Sequence, residues 1–195
     1  MADVPTRAEA LELMHEHTES SSLRKHMYAV EAAMRAYAEK YGADIELWGI
    51  TGLIHDFDYE RWPNEAHSPT EEHPSTGVAM LRDRGWPEEL LDAVMAHADY
   101  TNVPAITPLA KTLRAVDDLA GFIMASALIR PTRITDLRAK SVKKKLKDKR
   151  FAAAVSREDI RNAQEALGED ATEHIDFVIE AMRGIADELE LQSHA

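Results

Sequence analysis

Residues 45–57, IELWGITGLIHDF, form an apolar run that ends on an adjacent imidazole and carboxylate, His55 and Asp56. Asp44 precedes the run as a helix N-cap, and apolar side chains lie on nearly every side of it. A helix that is apolar all round belongs at the centre of a packed domain. The His55-Asp56 pair is either a helix end turning to water or a pair of metal ligands. The rest of the chain has to choose.

Outward from this stretch the pattern is helical, and no segment alternates convincingly as a strand. A first helix is expected over Arg7–His17. A second starts at Ser20–Ser22, keeps Leu23, Met27, Val30, Met34 and Tyr37 on one stripe, and ends at Gly42. Pro63, Asn64 and Pro69 mark a loop after the central helix. A fourth helix is expected over Glu71–Arg84 and a fifth from Pro87 to Ala98. A sixth runs from Leu109 to about Ile129, and a seventh from near Thr135. Ser156 caps an eighth, and the last covers about Thr172–Leu191. The fold class is therefore all-α, a bundle of about eight or nine helices expected to form one domain over residues 1–195.

Composition narrows the function. The 195 residues carry 23 Lys and Arg against 35 Asp and Glu, a formal charge of −12, which disfavours nucleic acid as a partner. Without cysteine there is no thiolate ligand or nucleophile. No run is long enough for a membrane span and the first residues do not read as a secretory signal, so a cytoplasmic protein is expected. One stretch opposes the acidic background: residues 138–150, RAKSVKKKLKDKR, hold eight basic residues and one Asp.

The remaining histidines decide the question raised by residues 55 and 56. His26 falls early in the second helix, His73 near the start of the fourth, His97 at the end of the fifth, and Asp117 within the apolar sixth. Each is at a helix end or on a helix that should line the core, so a bundle can bring them together around metal. Imidazoles and carboxylates suit Mn, Fe, Co, Ni or Zn rather than Ca, and Asp56 has an oxygen for each of two ions.

The order His26, His55-Asp56, His73, His97, Asp117 resembles the HD superfamily of metal-dependent phosphohydrolases, over about residues 23–122. The resemblance implies that His26, His55, Asp56 and Asp117 form one metal site and that His73 and His97 add a second. C-terminal helices over 133–191 are then expected to complete the bundle. Asp118 rivals Asp117. The Gly-Tyr-Pro signature of the cyclic-dinucleotide branch is absent, and Tyr59 stands where other branches place an acid or lysine.

The implied activity is hydrolysis of a phosphate ester or anhydride in a small phosphorylated metabolite or nucleotide, by water that a divalent metal activates. Asp58 and Glu60 are the candidate proton carriers. Arg130, Arg133, Lys140, Lys143, Lys144 and Lys147 are the candidate phosphate ligands, the lysines by sharing one helix face. That face has rival readings as a solvated surface or a docking site. The same six ligands also suit a di-iron oxygenase using O₂, or a degenerate nucleotide-binding module. A homodimer through the terminal helices is a further expectation. His15, His17, His67, His174 and His194 are expected at the surface, the three tryptophans in packing, and Trp62 is a candidate pocket wall.

Overall fold

A computed structural model describes residues 4–193; His194 lies outside them. Among the described residues there are nine α-helices and no strand. They are α1 (Arg7–His17), α2 (Ser21–Tyr41), α3 (Ile45–Ile54), α4 (Ser75–Asp83), α5 (Glu88–Ala96), α6 (Pro108–Leu128), α7 (Ala139–Leu146), α8 (Arg157–Leu167) and α9 (Ala171–Arg183).

Local chemistry accounts for most boundaries. Thr6 and Glu9 form a capping box at the start of α1. The side chains of Asp44, Thr107, Ser156 and Asp170 cap α3, α6, α8 and α9. Gly42 and Gly168 end α2 and α8 in the left-handed conformation that glycine adopts without a Cβ clash.

Three helices start later or stop earlier than their periodicity suggests. Residues 71–74 are not part of α4. Glu72 instead closes the preceding loop by accepting from the backbone N–H groups of Ala66 and Ser68. Residues 135–138 precede α7, where Arg138 is extended and Asp176 accepts from the Ala139 N–H. Beyond Arg183 the chain turns back, and Ile134 N–H donates to the Leu191 carbonyl.

Helices α2, α3 and α6 form the centre. α2 lies against both α3 and α6, with α5 and α8 also packed on α6. All of residues 47–54 are buried, as expected of an all-round apolar helix. Close contact between α2 and α3 requires a small residue, because a Cβ on Gly52 would come within 3.0 Å of the Glu31 backbone. This packing fixes where α3 ends, and so fixes His55 and Asp56.

Candidate metal centre

Five separate segments deliver the six side chains named from the sequence. His26 comes from the second turn of α2, and His55 and Asp56 from the end of α3. His73 comes from the loop before α4, His97 from the end of α5, and Asp117 from the middle of α6. They form two groups that share Asp56. One is His26, His55, Asp56 and Asp117; the other is Asp56, His73 and His97. Within each group the candidate donor atoms lie within 4.8 Å of one another.

Asp56 joins them with a division of labour between its oxygens. Oδ2 lies 3.5 Å from His55 Nε2 and 3.7 Å from His26 Nε2. Oδ1 lies 3.3 Å from His73 Nε2 and 3.6 Å from His97 Nε2. His26 Nε2 is also 2.9 Å from Asp117 Oδ1.

For three of the four imidazoles the opposite ring nitrogen explains why Nε2 points inward. His55 Nδ1 donates to the Gly52 carbonyl at 2.8 Å, and His97 Nδ1 donates to the Val94 carbonyl. His73 Nδ1 donates to Asp58 Oδ1 at 2.7 Å. A carbonyl or carboxylate accepts only, so Nδ1 carries the proton and, in the neutral ring, the Nε2 lone pair is free to ligate. His73 is held through its backbone as well, its N–H donating to the Trp62 carbonyl and its carbonyl accepting from the Tyr100 hydroxyl.

Electrostatics follow from this crowding. Burial works against a charge on His55, but Asp56 and Asp117 outweigh it and hold its pKa up at about 9. Burial opposes ionisation of Asp56 and Asp117 too, yet the surrounding imidazoles keep both carboxylates well below their usual range. For Asp118 burial and the neighbouring Asp117 and Asp159 act together, raising it to about 7.

Do these residues fit a metal? His55 Nε2 is fully buried yet makes no hydrogen bond, although it faces two carboxylates at 3.4 and 3.5 Å. A buried polar atom without a partner is costly, and a cation between it and those carboxylates would satisfy all three. The donors are nitrogen and oxygen only, which suits first-row divalent transition metals. The residues fit.

The two groups sit at the floor of a cleft of about 590 Å³. Tyr59, Asn64, His67 and Tyr100 line one side; Asp118, Ser156 and Asp159 line another. Arg114 is the single Lys or Arg among these lining residues, and it pairs with Asp99 at the rim.

The other candidates from the sequence are placed elsewhere. Asp58 is 1% exposed, and beyond His73 it accepts from the Gly77 N–H at 2.7 Å, so it cannot exchange protons with a substrate. Glu60 points to the start of α2, where it accepts from the N–H groups of Glu19 and Ser20. Asp58 thus holds the ring of His73, and Glu60 holds the start of the helix that carries His26.

None of the proposed phosphate ligands lines the cleft. Arg130 pairs with Asp136, and Arg133 donates to the Leu128 carbonyl. Lys140 and Lys144 are exposed, while Lys143 and Lys147 border a different cavity. Helix α7 docks on α9 through Ala139 and Val142, which turns its lysines away from the metal ligands.

Three smaller expectations are also corrected. His17 is buried, its Nδ1 bonded to the Leu13 carbonyl and its ring against Phe57 and Trp62. His174 is buried between the Tyr37 hydroxyl and the Ala115 carbonyl. Trp62 therefore packs on His17 and does not wall the cleft. The sequence carries a signal for Arg114 in its spacing: residues 114, 117, 118 and 121 share one face of α6, and all four line the cleft.

Helices carrying inward-facing His and Asp from distant parts of the chain define an all-helical protein with a His/Asp cluster that could hold metal. The family model for the HD domain matches residues 23–121, just over half of the 195 residues, and the chain belongs to the HD domain family. Searches among curated proteins and among solved structures return no match.

Proposed function

We propose that the protein is a two-metal phosphohydrolase acting on a small phosphorylated molecule. The observation that carries this reading is Asp56, whose two oxygens each face a separate set of imidazoles at the floor of a small cleft. His26, His55 and Asp117 would hold one ion and His73 and His97 the other, with Asp56 between them. Divalent ions so held supply an activated water and positive charge for phosphoryl oxygens.

The chain's own residues do the rest. Asp58 fixes the ring of His73, and the Gly52 and Val94 carbonyls fix those of His55 and His97. Arg114 is the side chain suited to grip a phosphate oxygen, by exchanging its Asp99 partner for the substrate. Asp118, next to Asp117 and facing the cleft, replaces Asp58 and Glu60 as the carboxyl that hands a proton to the leaving oxygen. Tyr59 and Tyr100 line the cleft on the side of His73. The cleft volume falls within the roughly 300–1,000 Å³ of small-molecule sites, which favours a metabolite or nucleotide over a polymer.

The test is to strip the protein with chelator, reload it with Mn(II) or Fe(II), and screen sugar phosphates, nucleotides and dinucleoside polyphosphates. Metal-dependent release of phosphate or nucleotide, lost in Asp56→Ala, is expected. O₂ consumption with an oxidised organic product and no phosphate release from any substrate would replace hydrolysis with oxygenase chemistry.

A further inference from the structure

The basic stretch at 138–150 has no role in the cleft, yet it borders a second cavity on the far side of α8. This cavity, of about 290 Å³, lies between α6, α7, α8 and α9. Leu119, Leu146, Ile160 and Ile175 give it an apolar lining. Lys143, Lys147 and Arg161 stand around it, all three exposed. The cations are not committed to carboxylates. Lys143 donates to the Thr172 hydroxyl, no acid pairs with Lys147 among the described residues, and Arg161 reaches Glu165 only at 4.0 Å.

Helix α8 separates the two cavities. Ser156 at its cap, Asp159 and Ala163 face the metal cleft, while Arg157, Ile160, Arg161 and Gln164 face the second cavity. Both sets follow helical spacing. Helix α8 packs chiefly on α6 and buries Ile160 and Ala163 against it, so it presents its remaining faces to the two cavities.

We propose that this cavity is a second ligand site, for a small amphipathic anion: a short apolar chain or single ring carrying one carboxylate or phosphate. The physical case is complementarity. An apolar body replaces water against Leu119, Leu146, Ile160 and Ile175. The lysine and arginine stems extend that surface while their charged ends stay in water at the mouth, where an anionic head would meet them. The volume is at the lower end for ligand sites, which selects a small molecule over a helix of a partner protein. Because the occupant leans on Ile160 and Arg161, it also steadies the helix that walls the metal cleft. The proposal does not depend on the reaction in that cleft.

The experiment is calorimetric titration of the full chain with octanoate below its micellar concentration, alongside octanol and inorganic phosphate. One octanoate per chain is expected. Octanol and phosphate should each bind at least about tenfold more weakly, and the double variant Lys143→Glu/Arg161→Glu should bind octanoate at least about tenfold more weakly, the loss expected of a charge-assisted contact. Ala171→Leu, which fills the cavity from the first turn of α9, should weaken octanoate and octanol alike. Hydrogen exchange at the amides of residues 160–167 should slow with octanoate in the wild type and not in the double variant. The proposal is overturned by no octanoate binding, by equal binding of octanol, by binding that survives the charge reversal, or by protection elsewhere in the chain. Binding of an acidic amphipathic peptide in preference to octanoate would overturn it in favour of a protein partner.

Discussion

The two halves of the chain treat their charged residues in opposite ways. Between residues 23 and 121, polar side chains from five segments turn inward and meet within a few ångströms. Along residues 138–150 the basic side chains are mostly exposed, even where they share a helix face, and none lines the cleft that holds the His/Asp groups. The difference lies in what surrounds each. The ligands sit on or beside helices buried by α2, α3 and α6, so burial forces them to find partners. The lysines of α7 sit on a short helix that buries only Ala139 and Val142, and water is partner enough.

The contrast breaks most severely at Asp56. Asp56→Ala should remove the shared ligand of both groups. The loss of turnover should exceed the roughly 10–100-fold typical of losing an outer-shell partner, measured by phosphate release from whichever substrate the screen identifies.

The next effect is on pH. In the metal-free protein His55 keeps its proton up to about pH 9, and a metal must displace it. Metal affinity should therefore rise by about tenfold per pH unit for one displaced proton, levelling off near pH 9. The sign for stability is opposite. A folded-state pKa raised above 6.5 stabilises the metal-free fold fully below that value, and the contribution fades as pH rises through about 9. Isothermal titration with Mn(II) checks the first, and chelator-treated thermal melts check the second.

Asp58→Asn should then separate positioning from ligation. The His73 ring loses its carboxylate partner, and affinity for one of two ions should fall by roughly 10–100-fold while the other is unchanged. Metal titration followed by equilibrium dialysis resolves the two. Gly77→Ala attacks the same contact from the other side, since the added Cβ would lie 2.6 Å from the Asp58 carboxyl carbon.

At the cleft rim, Arg114→Gln should raise KM about tenfold, the loss of one charge-assisted hydrogen bond, with kcat much less affected. On the outward side, Lys140→Gln/Lys144→Gln should change neither, because those side chains face solvent away from the cleft. If the lysine pair proved to matter and Arg114 did not, the assignment of the phosphate grip would be reversed.

These outcomes also explain what the sequence made legible. The helices were readable because caps such as Asp44, Ser156 and Gly42 coincide with the apolar periodicity. The six-residue order was readable because ligation depends on residue type and on several such residues recurring together, whereas single buried histidines such as His17 and His174 serve packing. Asp58 and Glu60 were not, since the order alone does not say that one turns toward His73 and the other toward α2. That depends on side-chain direction through the turn after α3. The lysine face failed for a related reason: i, i+4 spacing defines a face, but the docking of α7 on α9 decides where it looks.

Whether Asp56 links two metal sites is decided by counting metal ions on purified variants. Two divalent ions per chain are expected in the reloaded wild type, one in His73→Ala, and none held tightly in Asp56→Ala. A wild-type protein that binds no ion tightly, or an Asp56→Ala variant that still holds two, would contradict that link.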